Sequence, residues 1–216
     1  MTYQTPYGAP RDPLAEPVIF VKQQIRLVNL EYQLFDPTGA PTGSAAQTGQ
    51  NALTAVAKIV GGLDRILQTK LEIRNSVGQP ILVVDKPFFE WHSANVMLPN
   101  GQPVGQIRKQ FRIGLARFDL HDPAGNRLGG AEAKNLIARE FNFHDANGTG
   151  IARVTKKWAG VGRELFTTSD NYVIEAPLTI PYPLRLLVIA STLSIDILMK
   201  QKRGGMLGGL DDVFNG

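Results

Sequence analysis

The chain of 216 residues contains no cysteine, so a disulfide framework, a thiolate metal site and a cysteine nucleophile are all excluded. Charged residues are sparse at 19%, below the roughly 25% usual in globular chains, while apolar residues reach 43%. That balance rules out disorder throughout and a long coiled coil, and it leaves room for a sizeable core. The chain also lacks an apolar run of the ~20 residues that a membrane-spanning helix needs. The longest candidate, Leu184 to Met199, has 16 residues and holds Arg185 and Asp196. Only three histidines occur, His92, His121 and His144, and none stands at metal-ligand spacing from another. They read as ordinary strand or turn residues. Gly-x-Ser-x-Gly, His-Glu-x-x-His and a glycine loop ending in Lys-Ser/Thr are all missing. No acid–base pair or nucleophile constellation can be named, so the sequence does not read as an enzyme and calls for no cofactor.

The net charge of +4 is mild and spread along the chain, with +1 in residues 1–70, +2 in 71–183 and +1 in 184–216. Such an excess does not indicate nucleic acid. It would assist contact with an anionic membrane surface.

From residue 18 the sequence turns β-like. Val18 to Lys22 and Tyr32 to Phe35 are short apolar or alternating runs. Alternation continues through Leu71 to Asn75, Ile81 to Asp85, Phe111 to Leu120 and Phe141 to His144, which gives each segment one buried and one wet face. Between these segments stand turn signals at Asp36-Pro-Thr-Gly39, Val77-Gly-Gln-Pro80, Pro99 to Gly105, Asp122-Pro-Ala-Gly125 and Asp145-Ala-Asn-Gly148. They supply the left-handed and type I positions that hairpins require. Strands in that number must close on themselves or pack as two sheets to hide their edges. The run 184–199 is apolar on all sides and must be surrounded. The sequence therefore predicts a mainly β chain, a closed antiparallel barrel with the helix 184–199 threaded through its lumen. The domain would span residues 18–200, after a disordered proline-rich leader at 1–17 and before a flexible glycine-rich tail at 201–216. One stretch breaks the pattern. Leu53, Val56, Val60, Leu63 and Leu67 recur at helical spacing within 51–68, an amphipathic helix that packs on the barrel or lies at a membrane interface.

The densest chemistry lies between Ala152 and Glu175. Lys156, Lys157 and Arg163 gather beside Trp158, with Arg153 close in sequence. A tryptophan among cations suits a lipid headgroup interface or a phosphate site, and equally a solvated strand edge with the ring in the core. Asp145 to Gly150 imitates the start of a calcium loop, but its glycine comes early and its twelfth position is Lys156, so it reads as a turn.

The segment Lys157-Trp-Ala-Gly-Val-Gly-Arg-Glu-Leu-Phe-Thr-Thr-Ser-Asp-Asn-Tyr-Val-Ile174 resembles the signature of the phospholipid scramblases. Leu71-Glu-Ile-Arg-Asn-Ser-Val-Gly-Gln79 upstream, Pro177-Leu178 downstream and Ile195-Asp196 in the closing apolar run match the same family. The likeness covers roughly residues 25–200, with 51–68 poorly matched. LURP-one-related proteins share this scaffold, and the group resembles the Tubby C-terminal fold, which implies about twelve strands around a central apolar helix. The resemblance further implies ATP-independent movement of phospholipid between leaflets, activation by calcium, and a final helix that serves as a membrane anchor. Two features depart from the family pattern. Thr179 and Pro181 replace the acids of the calcium segment, leaving Asp170, Asn171 and Glu175, too few oxygens for a calcium shell. The cysteines that are palmitoylated in animal scramblases are missing. The expected protein is thus a scramblase-related lipid handler on the cytoplasmic membrane surface, peripheral on its inner face, with Lys156, Lys157, Trp158 and Arg163 as headgroup contacts and weak or no calcium binding. The rival is a Tubby-like module that binds phosphoinositide or a protein partner.

Overall fold

A computed structural model describes residues 10–25, 30–48, 69–87, 90, 92–110, 117–133, 140–155 and 171–199, without the side chains of residues 24, 25, 30 and 196–199. Twelve strands form a closed antiparallel barrel in which each strand pairs with its neighbours in sequence and β1 closes on β12. In order they are β1 (Val18–Ile25), β2 (Leu30–Phe35), β3 (Pro41–Thr48), β4 (Thr69–Asn75), β5 (Pro80–Lys86) and β6 (Ser93–Met97). Then follow β7 (Pro103–Gln110), β8 (Arg117–His121), β9 (Arg127–Ala133), β10 (Phe141–Asp145), β11 (Gly150–Thr155) and β12 (Tyr172–Glu175). One helix, α1 (Leu184–Met199), has the bounds expected from the sequence. Closure leaves no unpaired sheet edge, which is how a chain of hairpins avoids edge-to-edge association.

Alternation makes the wall two-sided. In β4, Leu71 and Ile73 are fully buried while Lys70, Glu72 and Arg74 face outward. The inward residues of the other strands join them in one cluster with the helix, including Tyr32, Leu34, Leu82, Ile107, Phe118, Leu120, Phe141 and Phe143. Aromatic pairs fix part of this lining: Tyr32 meets Tyr172 edge-on at 6.4 Å, and Phe118 lies 6.2 Å from Phe141.

One end of the barrel is built from five tight turns of a single design. In each, a residue X three before a glycine receives the glycine N–H at its carbonyl, and X in turn donates its own N–H to the residue after the glycine. X is Asp36, Asn75, Leu98, Asp122 and Asp145, and the glycines Gly39, Gly78, Gly101, Gly125 and Gly148 all have φ between 81° and 88°. A register shift beside each turn marks the accompanying bulge. This is the three-residue hairpin, a type I turn followed by a left-handed residue, and glycine fills that position without a Cβ clash. The aspartates add side-chain acceptance: Asp36 Oδ1 receives the N–H groups of Thr38 and Ala40 at 2.8 and 3.0 Å, and Asp145 Oδ1 those of Asn147 and Thr149 at 2.9 Å each. The calcium-like segment at 145–150 is therefore a hairpin turn.

The opposite end carries the six remaining connections, whose central residues lie outside the described part of the chain. The helical stretch expected at 51–68 falls there, as the link from β3 to β4.

The helix is sheathed. Leu187, Val188, Ile189 and Ala190 are each 0% exposed. Four consecutive helical residues point in directions 100° apart, so their joint burial requires packing on every side. Ser191, Thr192 and Ser194 would strain an apolar lumen, but each donates its hydroxyl to a carbonyl within the helix: Val188 at 3.0 and 2.9 Å and Ala190 at 2.7 Å. The leader departs from the sequence reading between residues 10 and 17. Asp12 caps a 3-10 helix at Pro13–Ala15 by accepting from Leu14 N–H at 2.8 Å, and Pro13 is buried against the barrel. Capping by aspartate and a proline at the first helical position offset the cost of ordering this short segment.

Candidate functional site

The strand directions sort the chemistry to two ends. β12 runs toward the tight-turn end, so the helix enters there, rises about 24 Å and ends at the other side. Of the residues marked as headgroup contacts, Lys156, Lys157, Trp158 and Arg163 all lie outside the described residues. Their segment begins after Thr155 and ends before Asn171, and both of those residues stand at the end remote from the tight turns. Trp91, in the β5–β6 connection, also lies outside the described residues.

The two calcium candidates among the described residues stand apart. Asn171 and Glu175 bracket β12 at opposite ends of the barrel, about 13 Å apart along an extended strand. Glu175 is held by Arg153, whose Nε donates to Oε2 at 2.9 Å. Asp170 lies outside the described residues. Among the described residues no cluster of three His, Asp or Glu is placed to hold a metal ion. Among the described residues, Asn171 and Glu175 are not brought together as the calcium site implied by the sequence resemblance requires.

Five arginines among the described residues of the wall and leader are paired with carboxylates. Arg11 holds Asp36 at 2.5 Å, Arg74 holds Glu72 at 2.5 Å, and Arg127 holds Asp119 at 2.9 Å. Arg117 pairs with Glu132 across β8 and β9, and Arg153 pairs with Glu175. These arginines are neutralised where they stand. Burial pushes the Asp119 carboxyl up, but hydrogen bonds from Arg127 and Gln110 outweigh it and leave the group below the ordinary aspartate range. His121 is held below the usual histidine range by its burial and by the Arg108 cation. A shallow cavity of about 310 Å³ opens on the wall by Asn95, Met97, Gln106 and Arg108. There Arg108 Nε donates to Gln106 at 2.5 Å and Gln106 donates to Asn95 at 3.1 Å, so three of its polar side chains satisfy one another.

Arg185 is the polar residue of the helix that the structure defines best. It is 7% exposed and sits in the first helical turn. Its Nε donates to the Ala176 carbonyl at 3.0 Å, Nη2 to that of Glu16 at 2.5 Å, and Nη1 to that of Leu14. Desolvation lowers its pKa, opposed by the negative charges of Asp12 and Glu16. The sequence marked Arg185 as a polar intruder but gave no hint of its partners, two of which, Leu14 and Glu16, lie 171 and 169 residues away. The Asp196 side chain is not among those described. Among the described residues no helix is long and apolar enough to cross a membrane.

Comparison with known proteins agrees with this architecture. An X-ray structure of an Arabidopsis thaliana protein superposes with a TM-score of 0.50, covering 88% of this chain and 99% of that one at 11% identity, a likeness of fold alone. Altered inheritance rate of mitochondria protein 25 of Saccharomyces cerevisiae is 22% identical over 76% of this chain and 61% of its own length. A phospholipid scramblase family protein of Schizosaccharomyces pombe is also 22% identical, over 78% of this chain and 49% of its own. Phospholipid scramblase 1 of Homo sapiens is 20% identical over 62% of this chain and 46% of its own. The chain thus spans about half to three fifths of the length of these relatives. The scramblase family model matches residues 12–200, which takes in all twelve strands, the sheathed helix and most of the capping leader. With a match of that extent, the chain belongs to the scramblase family.

Proposed function

We propose that this protein handles phospholipid at a membrane surface, docking by the end of the barrel remote from the tight turns. One observation carries the reading: the two ends differ in charge and in tryptophan. The six connections at the remote end contain nine Lys and Arg against five Asp and Glu, and Lys200, Lys202 and Arg203 follow the helix in sequence. At the other end, the leader from residue 10 and the five turns contain Arg11 against Asp12, Glu16, Asp36, Asp122 and Asp145. Both tryptophans of the chain, Trp91 and Trp158, belong to the remote connections. Cations with tryptophan suit the headgroup layer, where an aromatic ring lies at the boundary and each cation near an anionic surface contributes about 1 kcal/mol. Lys156, Lys157, Trp158 and Arg163 are the proposed headgroup contacts within that set. No bond is made or broken in this role.

Transbilayer movement asks more of the fold. A headgroup crossing hydrocarbon needs a polar path, and a helix enclosed by its own barrel provides none. Movement of lipid would therefore depend on disturbing the bilayer from its surface or on association of several barrels. The enclosed helix also favours a second reading, a binding module that recognises an anionic headgroup without transporting it.

Two experiments separate these readings. Protein added to liposomes with a fluorescent phospholipid should accelerate its exchange between leaflets; no acceleration, with or without calcium, removes the transport reading and leaves binding. Co-sedimentation with vesicles containing phosphatidylserine should weaken at least tenfold in the Lys156→Glu, Lys157→Glu double variant, from the loss and reversal of two surface charges. Unchanged co-sedimentation would overturn the headgroup assignment.

A further inference from the structure

Residues 11–17 lie as a strap at the tight-turn end, and the bonds that hold them share a pattern. Arg11 grips the wall: its N–H donates to Ser76 Oγ at 2.9 Å, its carbonyl receives Ser76 N–H at 3.0 Å, and its guanidinium holds Asp36 at 2.5 Å. Ser76 and Asp36 belong to two different turns, those of β4–β5 and β2–β3. Pro13 then descends onto β3 at Gly43, where an added Cβ would stand 3.1 Å from the proline ring. Leu14 and Glu16 present their carbonyls to Arg185, and Pro17 accepts from Ala176 N–H at 2.9 Å. The strap thus bridges the wall and the first turn of the helix.

Arg185 stands out among the helix side chains. Among residues 184–195 it is the side chain that makes hydrogen bonds beyond the helix and its entry, because Ser191, Thr192 and Ser194 bond within it. A buried guanidinium here rests on three neutral carbonyls with no carboxylate bonded to it, and two of the three belong to the strap. Removing the strap leaves a desolvated cation with two vacant donor positions, which is costly. Removing Arg185 leaves the strap held by Arg11, by Pro13 against β3 and by the Pro17–Ala176 bond, with the carbonyls of Leu14 and Glu16 released from the helix.

We propose that residues 11–17 and the first turn of the helix form one cooperative latch, bolted by Arg185, and that the barrel opens at this end by release of that latch as a unit while its strands stay paired. Local opening of such a unit is governed by its few polar tethers, whereas the wall opens only with global unfolding. The proposal rests on the fold and does not require the lipid reading.

The test is hydrogen–deuterium exchange by mass spectrometry on the full chain without lipid. Arg185→Lys keeps the charge but presents one compact donor group where three carbonyls were bridged. It should speed exchange about tenfold in peptides covering residues 10–17 and 184–188, and leave those covering β7 and β9 unchanged. The second variant, Arg11→Gln, alters a half-exposed residue and is expected to fold. Arg11 makes no contact with the helix in the structure, so faster exchange at 184–188 in this variant is the signature of a cooperative latch. The proposal is overturned if Arg11→Gln affects only the neighbourhood of residues 11 and 76. It is equally overturned if neither variant changes exchange, or if both raise it uniformly over the strands.

Discussion

Truncating the helix in three directions tests whether it is enclosed. Leu187, Val188 and Ile189 follow one another at 100° steps and are each 0% exposed. A helix lying on a surface, or standing free to enter a bilayer, would tolerate alanine on at least one of these faces. In the sheathed arrangement none is tolerated. Leu187→Ala and Ile189→Ala each remove three carbons, worth about 2.4 kcal/mol in transfer from water, and the cavity left behind brings the cost to about 2–5 kcal/mol. Val188→Ala removes two carbons and should cost about 1.5–3 kcal/mol on the same basis. Alanine's better helix propensity returns only a few tenths to about 0.6 kcal/mol and does not change the order. Urea unfolding without detergent reads the effect. With a slope of about 2 kcal/mol per molar urea, the two larger truncations should lower the midpoint by roughly 1–2.5 M. A midpoint within about 0.3 M of the parent for any one of the three would show an open face, and the enclosed helix would have to be abandoned.

Other expectations follow from the wall. Gly43→Ala places a Cβ 2.1 Å from the Arg74 carbonyl, within the β3–β4 pairing, so it should cost more than about 2 kcal/mol by thermal melting; a parent-like melting temperature would refute the close approach. Asp36 and Asp119 both titrate below the ordinary aspartate value of 3.8, because hydrogen bonds to the carboxylates outweigh their burial. The unfolded chain therefore takes up protons first as pH falls. The stability from these groups is present above about pH 4 and is lost as pH drops through their folded values. Urea midpoints measured from pH 7 to pH 2.5 should fall below pH 4, and Asp119→Asn should flatten that fall; a midpoint that holds down to pH 2.5 would refute it. Arg153→Ala frees Glu175 on the outer surface and should cost under about 1 kcal/mol, since the arginine is 60% exposed. A larger loss in urea unfolding would mean that the pair carries structural weight.

Much of the architecture was legible because two signals agreed. Alternating runs such as Leu71 to Asn75 and the recurrent Asp-x-x-Gly turns both call for hairpins, and an all-round apolar segment calls for an enclosure. β3 and β9 were not legible. Their sequences, PTGSAAQT and RLGGAEA, are rich in small residues that read as turns or linkers. The reason lies in the packing: at Gly130 a Cβ would meet the Phe118 carbonyl at 2.7 Å, so the neighbouring strand comes too close for a side chain. The leader was misread between residues 10 and 17 because its prolines suggested disorder, although Asp12-Pro13 is itself a helix-start signal. Arg185 was visible as a charge in an apolar run, but its partners at Leu14 and Glu16 come from the other end of the chain, beyond the reach of local pattern. The proposed headgroup residues stand out in the sequence as cations around a tryptophan, and the family resemblance falls on the same segment. Physical reading of Lys156, Lys157 and Trp158 leaves a solvated strand edge equally open, since composition alone does not say which end of a barrel a loop will occupy.

The polarity of the barrel has a built-in reporter, because both tryptophans belong to the connections at the proposed docking end. Emission should be recorded while the protein is titrated with phosphatidylserine vesicles whose acyl chains carry bromine near the headgroup. Docking by that end should shift Trp91 and Trp158 emission to the blue and quench it, with the effect fading as salt rises to about 1 M. Emission that stays unquenched and unshifted at every anionic lipid fraction would contradict membrane docking by this end.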